Sequence, residues 1–231
     1  MKFSYSLLLF LSLVGSNALA AGTPAGATNQ PSDISTNVIE AKPPGLLFTN
    51  SVGMELLKVP GGFWAGKFEV TQKQYQDIMG SNPSEFIATN QPVEMVSWNN
   101  AVEFCKKLTA ADLKKKLLPE GFYYTLPTED EWLSLVGNAT VEDAITSVKG
   151  ALRSAPAVVG STAPNNLGLC DVRGNVMEFC LGDETKPFRF LKGGSWKDFV
   201  EMNLRPDFHW WCKPDESANN FGIRCLLKGK P

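Results

Sequence analysis

The chain has 231 residues with hydrophobic side chains at 43% of positions, so it is long enough to bury a substantial core. Its 22 basic and 24 acidic residues give a net charge of −2, which excludes the strong positive charge typical of proteins that bind nucleic acid or anionic membranes. The only histidine is His209, and no neighbouring residue completes a Ser-His-Asp or Cys-His catalytic group with it.

Residues 1–20 have the pattern of a secretory signal peptide. Lys2 precedes an apolar run at residues 7–14, and residues 18–20 read Ala-Leu-Ala, a small-x-small cleavage pattern. The apolar run is shorter than the about 20 residues that a membrane span needs. We therefore expect cleavage near Ala21, no membrane span afterwards, and a protein exported to the periplasm or secreted.

Residues 21–43 are rich in Ala, Gly, Thr, Ser and Pro and contain few large apolar groups. Such a segment buries too little surface to offset the entropy of ordering, so we expect a flexible linker. Residues 44–231 then form one domain.

The domain opens with strand patterns. Residues 46–59 predict one or two short strands ended by a Pro-Gly-Gly turn, and residues 63–70 predict another strand. Thr71 is a good N-cap for a first helix that ends at Gly80, and residues 92–98 read as extended.

Two further helices are predicted, each with an apolar face. The second begins at Asn99, and its buried face is predicted to hold Ala101, Val102, Cys105 and Leu108. The third begins after Thr128, with Glu131 completing a capping box and an apolar face of Trp132, Leu133 and Val136. The lysine run 114–116 is expected on a solvated face.

From residue 155 onward, short extended pieces are broken by Pro, Gly and Asn, with no long helix. Early helices followed by a glycine-rich and aromatic-rich region of short strands predict an α+β fold with much irregular structure.

A series of short motifs spans the domain from about Leu46 to Leu227. In order they read VPGGFW, KFEVTQKQY, MGSNPS, PVEMVSWNNAVEFC, YTLPTEDEW, APNNLGLCDVRGNVMEF, LKGGSW, NLR and NNFGIRC. This order and spacing resemble the formylglycine-generating enzyme family, also called the sulfatase-modifying factor family. The resemblance implies that family's variant of the C-type lectin-like fold.

The resemblance also implies where catalytic residues would stand. Active members carry two cysteines, at the third and eighth positions after the GGS serine, which bind copper and oxidise a cysteine of a sulfatase with oxygen. Counted from Ser195, these positions are Asp198 and Asn203. Because copper(I) prefers thiolate ligands, we expect no copper and no oxidase activity.

The five cysteines contain no C-x-x-C motif, which argues against a zinc site, and export favours at least one disulfide. The family resemblance implies a bridge between Cys105 and Cys225, with two buried free thiols as the alternative. Cys180 and Cys212 could form a second bridge, which would leave Cys170 as an inert, buried thiol.

The resemblance places a structural calcium near Asn175 and Glu178, with the backbone carbonyl of Val176 assisting. Oxygen ligands converging from one turn suit calcium. The alternative is that Asn175 and Glu178 satisfy backbone donors in a turn without metal.

Aromatic residues cluster near the two substituted positions. Trp196, Phe199, His209, Trp210 and Trp211 are expected to form a surface for a ligand or partner, together with Phe208. The alternative is that strand alternation buries about half of them.

Three functions follow from these observations. The first is an exported, non-catalytic binding or accessory module for a protein or glycan-type ligand. The second is a copper-dependent oxidase of sulfatase cysteines, which depends on the resemblance alone. The third is an iron enzyme like some relatives, but one histidine cannot supply their histidine ligands. The absence of both thiols favours the first.

Overall fold

A computed structural model describes Ala41, residues 44–148 and residues 152–229, all within one unit of the chain, residues 39–231. The predicted signal peptide, residues 1–20, lies outside the described residues, and so does the predicted linker except for Ala41. Both remain predictions.

The domain is an α+β structure of short elements, as the sequence predicts. In chain order these are β1 (Leu47–Thr49), β2 (Glu55–Lys58), β3 (Trp64–Gly66), α1 (Gln72–Met79), α2 (Trp98–Lys114), β4 (Phe122–Thr125), α3 (Glu129–Leu135), β5 (Met177–Phe179), β6 (Arg189–Lys192), a 3₁₀ helix (Glu201–Leu204), β7 (Trp210–Cys212), β8 (Phe221–Gly222) and β9 (Leu226–Gly229).

The strands form two sheets. The larger has the order β1-β2-β3-β9-β4 and is antiparallel throughout, with β9 inserted between β3 and β4. The smaller has the order β7-β6-β5-β8, in which only β5 and β8 run parallel. The strand β7 is therefore an edge strand, and its register aligns Phe190 with Trp211.

Each of the three described helices begins with a complete capping box. The side chains of Thr71, Ser97 and Thr128 each accept a hydrogen bond from the backbone amide three residues later. The side chain of that later residue accepts a hydrogen bond from the backbone amide of the capping residue, so both backbone donors at the helix start are satisfied. Gly80 ends α1 at φ 83°, the left-handed conformation that favours glycine. The prediction for α2 was one residue late, because Ser97 caps the helix and Trp98 begins it.

The core has two hydrophobic clusters. The first is centred on α2, whose Ala101, Cys105 and Leu108 are fully buried as predicted, while Val102 is half-buried. The second surrounds Trp132, which has no solvent exposure. Within α3 the prediction for Leu133 was wrong: this side chain is 47% exposed, and Leu135 is buried instead.

The lysine run 114–116 is exposed, as expected for a solvated helix end. No helix within the described ranges is long and apolar enough to cross a membrane.

Candidate functional site

The GGS loop after β6 is shaped by two glycines. Gly193 and Gly194 have φ values of 92° and 71°. A Cβ on Gly194 would lie 2.4 Å from the Cδ2 atom of Leu204, and one on Gly193 would lie 2.9 Å from the carbonyl oxygen of Val172. Only glycine fits both the backbone angle and the space, so the loop passes close beneath the 3₁₀ helix.

Asp198 and Asn203, the residues at the two predicted thiolate positions, are hydrogen-bonded to each other. Asn203 Nδ2 donates to Asp198 Oδ1 at 2.6 Å. The other carboxylate oxygen, Asp198 Oδ2, accepts from the Ser195 amide at 2.7 Å and the Ser195 hydroxyl at 2.8 Å. Asp198 is buried, and three donors share its two oxygens. Its side chain therefore has a structural role that closes the loop.

Neighbouring elements hold this closed loop in place. Asn220 Nδ2 donates to the Ser195 hydroxyl at 3.1 Å, and the Ser147 amide donates to the Asp198 carbonyl at 2.9 Å. Arg173 donates to the carbonyl of Leu204, the last residue of the 3₁₀ helix, at 2.6 Å and 3.0 Å. The loop is thus tied to three other segments of the chain.

These residues do not fit the copper ion that the sequence resemblance implies. Carboxylate and amide oxygens are poor copper(I) ligands, and here they already bind each other. All five cysteines, Cys105, Cys170, Cys180, Cys212 and Cys225, are buried. Burial raises the pKa of the Cys180 thiol well above its ordinary value and that of Cys212 to about 12, which disfavours thiolate formation.

A buried ion pair joins β5 to the segment between β8 and β9. The Arg224 guanidinium contacts Glu178 Oε1 at 2.7 Å and 2.8 Å, and Trp132 Nε1 donates to Glu178 Oε2 at 2.7 Å. Arg224 also donates to the carbonyls of Gly66 and Cys170, so it connects three segments. Burial raises the pKa of Glu178, while the Arg224 charge opposes that rise.

Glu69 forms the second part of this buried network. Its carboxylate accepts from Asn175 Nδ2 at 2.6 Å and from the Val176 amide at 3.0 Å. Burial raises the pKa of Glu69 well above its ordinary range, and the nearby Asp171 and Glu178 carboxylates raise it further.

The side-chain oxygens of the predicted calcium site already have protein partners. Asn175 Oδ1 accepts from the Ala157 amide, and the two Glu178 oxygens bind Arg224 and Trp132. A guanidinium already neutralises the carboxylate that would bind calcium, so the side-chain ligands do not fit the ion. Within the described part of the chain, no group of three or more His, Cys, Asp and Glu residues could hold a metal.

The predicted disulfide partners lie together in the first core cluster. The Sγ atoms of Cys105 and Cys225 are 3.6 Å apart, and the bond between them remains a prediction. Cys180 and Cys212 lie on opposite sides of β6. The Cys180 amide donates to the Phe190 carbonyl, and Cys212, on β7, pairs with Arg189. Two strand spacings, about 10 Å, exceed the about 7 Å limit for bridged Cα atoms, so the geometry opposes a second bridge.

The predicted aromatic surface is divided by the structure. Trp196 is buried, with its ring edge-on to Phe86 at 5.5 Å, so it is not part of an exposed surface. Phe199 is 74% exposed and lies in the loop near Asp198. Phe208 is half-buried. These aromatic residues therefore do not form one site.

A different set of rings lines the outer face of β6 and β7. We call Phe188, Phe190, His209 and Trp211 the aromatic row. Its successive ring centroids are 6.5 Å apart from Trp211 to Phe188, 5.4 Å from Phe188 to Phe190, and 4.2 Å from Phe190 to His209. Sequence reasoning missed Phe188 and Phe190, although their spacing of two matches that of His209 and Trp211 and could have identified one strand face.

Trp210 lies on the opposite face of β7. It pairs with Leu191, and the residues on its face, Arg189, Leu191 and Cys212, are buried. Strand alternation therefore separates the neighbours Trp210, 46% exposed, and Trp211, 65% exposed.

The sequence profile of one family matches residues 45–228, and its description is "Sulfatase-modifying factor enzyme 1-like domain". Among curated proteins, no sequence matches the chain.

Solved structures with similar folds include Treponema denticola variable protein 1 and CarF. The first has a TM-score of 0.61 at 22% identity, covering 83% of this chain and 93% of that protein. CarF has a TM-score of 0.60 at 23% identity, covering 81% and 94%. The Major Tropism Determinant U1 variant, with a C-type lectin fold, has a TM-score of 0.51 at 14% identity, covering 74% and 51%. The fold is thus the predicted C-type lectin-like variant.

Proposed function

The chain belongs to the sulfatase-modifying factor family, and we propose that it acts there as an exported, non-catalytic binding or accessory module. The observation that carries this proposal is the hydrogen bond between Asn203 and Asp198, at the two positions where active relatives carry thiols. A carboxylate with all its oxygens bonded, in a closed loop, offers neither a nucleophile nor a redox-active group.

The family fold is compatible with a binding role. One fold hosts many functions, and the function must be argued from the site. Two of the structural neighbours are, by their names, a variable protein and a tropism determinant. The surrounding structure remains well packed although the thiols are missing, as expected for a scaffold that is retained for binding.

The decisive test is mass spectrometry of a sulfatase-type cysteine peptide after incubation with the protein, copper, oxygen and a thiol reductant. We expect the peptide mass to remain unchanged, whereas an active formylglycine-generating enzyme in a parallel reaction converts the cysteine side chain to an aldehyde. Titration with a copper(I) probe should show no tight binding. A protein-dependent aldehyde product would instead establish the oxidase function.

The variant Asp198→Cys/Asn203→Cys provides a matched control for the same reaction. Two thiols restore the ligand type that copper(I) prefers, so this variant should gain copper binding over the wild type. Copper binding by both proteins alike would show that the ion binds elsewhere.

Export is tested separately by fractionating cells and sequencing the N-terminus of the mature protein. We expect the protein in the periplasm or the medium, with an N-terminus near Ala21. A cytoplasmic protein that retains residues 1–20 would contradict the proposal.

A further inference from the structure

The aromatic row lies along an exposed edge of the smaller sheet, with the Phe188 ring plane tilted by 53° to that of Phe190 and by 62° to that of Trp211. Trp211 is 65% exposed, Phe188 and His209 are exposed, and Phe190 is half-buried between Phe188 and His209. On the opposite side of the same strands, Arg189, Leu191 and Cys212 are buried, while Trp210 is 46% exposed. Three buried side chains therefore anchor these strands in the core, while the outer face of the row is open.

Polar groups lie at one end of the row. His209 Nδ1 is 2.9 Å from Glu129 Oε2, and the buried Lys192 places its Nζ atom 3.7 Å from the same oxygen. Glu129 begins α3, whose first turn also contains Asp130 and Glu131. The ring surface thus ends in hydrogen-bonding groups of mixed charge, with an acidic margin.

This combination identifies a ligand class. Aromatic ring faces carry partial negative charge, and the C–H groups of a sugar ring carry partial positive charge because each carbon bears oxygen. A sugar chain also has hydroxyl groups that suit a carboxylate and an imidazole. We propose that the aromatic row binds a neutral carbohydrate chain, with Trp211 and Phe188 as stacking platforms. This inference rests on the proposed binding function.

The charges disfavour other occupants. An anionic polymer or lipid headgroup would meet the first turn of α3, whose three carboxylates outnumber the two lysines paired with them, Lys192 and Lys228. A second copy of the chain could cover the row through the edge strand β7, and this case is separated by experiment.

The test is a glycan array carrying neutral, sialylated and sulfated oligosaccharides, probed with the full protein as the cell produces it. The wild type is compared with Trp211→Ala and Phe188→Ala. The matched control is Trp210→Ala, which removes the same residue type from the same strand on the opposite face. Phe199→Ala, an exposed aromatic outside the row, is a second control. Thermal melting checks that each variant is folded.

We expect the wild type to bind neutral glycans, with affinity lowered about ten-fold or more in Trp211→Ala and Phe188→Ala, as for an aromatic anchor. Both controls should bind like the wild type. Binding to no neutral glycan, binding only to acidic glycans, or equal loss in Trp210→Ala would overturn the inference. So would a dimer in analytical ultracentrifugation that Trp211→Ala dissociates.

The two proposals fail in different ways. A protein that neither oxidises cysteine nor binds neutral glycans refutes the carbohydrate site and leaves the non-catalytic module standing. A protein that oxidises cysteine refutes the module, whatever the array shows.

Discussion

Removing the Arg224 guanidinium should strongly destabilise the domain. In Arg224→Met, Glu178 is left as a buried charge whose cationic partner is gone, which costs about 3–5 kcal/mol. The carbonyls of Gly66 and Cys170 each lose a donor, adding about 1 kcal/mol apiece at the low end. The free energy of unfolding should therefore fall by about 5–7 kcal/mol.

Urea denaturation measures this loss. With a slope of about 2–3 kcal/mol per molar urea for a domain of this size, the midpoint should fall by about 2 M. The double variant Arg224→Met/Glu178→Gln removes the unpaired charge but not the unsatisfied carbonyls, so it should recover more than half of the loss. The matched control is Arg205→Met, which breaks the exposed pair with Asp207 and should cost less than about 1 kcal/mol.

Two results would refute this reasoning. One is an Arg224→Met midpoint as high as that of Arg205→Met, which would mean that the ion pair contributes little. The other is a double variant no more stable than the single variant, which would mean that the unpaired charge is not the cause. If Arg224→Met does not accumulate as a folded protein, a double variant that does fold gives the same answer.

Three further predictions concern other parts of the structure. Because the Asn175 and Glu178 side chains do not fit calcium, adding a chelator should leave the melting temperature unchanged; a lower melting temperature would restore the calcium assignment, since a bound ion stabilises the folded state. Peptide mapping under non-reducing conditions should recover Cys105 linked to Cys225. For so long a loop, this bridge should add about 4–5 kcal/mol to the free energy of unfolding. Alkylation of both thiols in the folded protein would contradict the bridge. The raised pKa of Glu69 means that the folded state binds a proton more tightly than the unfolded state. The stability that this group contributes is therefore fully present below the ordinary carboxyl pKa and is lost as pH rises through the folded-state pKa. Glu69→Gln should flatten this fall in a pH series of thermal melts, and an unchanged slope would exclude Glu69 as its source.

The sequence predicted the elements whose signals are local. A capping threonine and its partner three residues later identified α3, and Thr71 with Gly80 identified α1, because caps act within one turn. The strand β4, Phe122–Thr125, was not predicted, since a four-residue strand is defined by the neighbour it pairs with and that neighbour, β9, lies far along the chain.

The site shows the same division between local and long-range information. Motif spacing identified Asp198 and Asn203, but their mutual hydrogen bond depends on the 3₁₀ helix that brings Asn203 back over the loop. The prediction of a calcium site did not anticipate that Arg224, 46 residues along the chain, would neutralise the Glu178 carboxylate. The aromatic row required the register between β6 and β7, which no local pattern specifies.

The position of β9 sets the order in which the domain can be assembled. While the chain is being made, β1, β2 and β3 can pair with one another early, but β4 has no strand neighbour until β9 emerges about a hundred residues later. Joining the two halves of the larger sheet is therefore a late event with a high entropic barrier. The larger sheet cannot be completed until most of the domain has been synthesised, which is compatible with the proposed export.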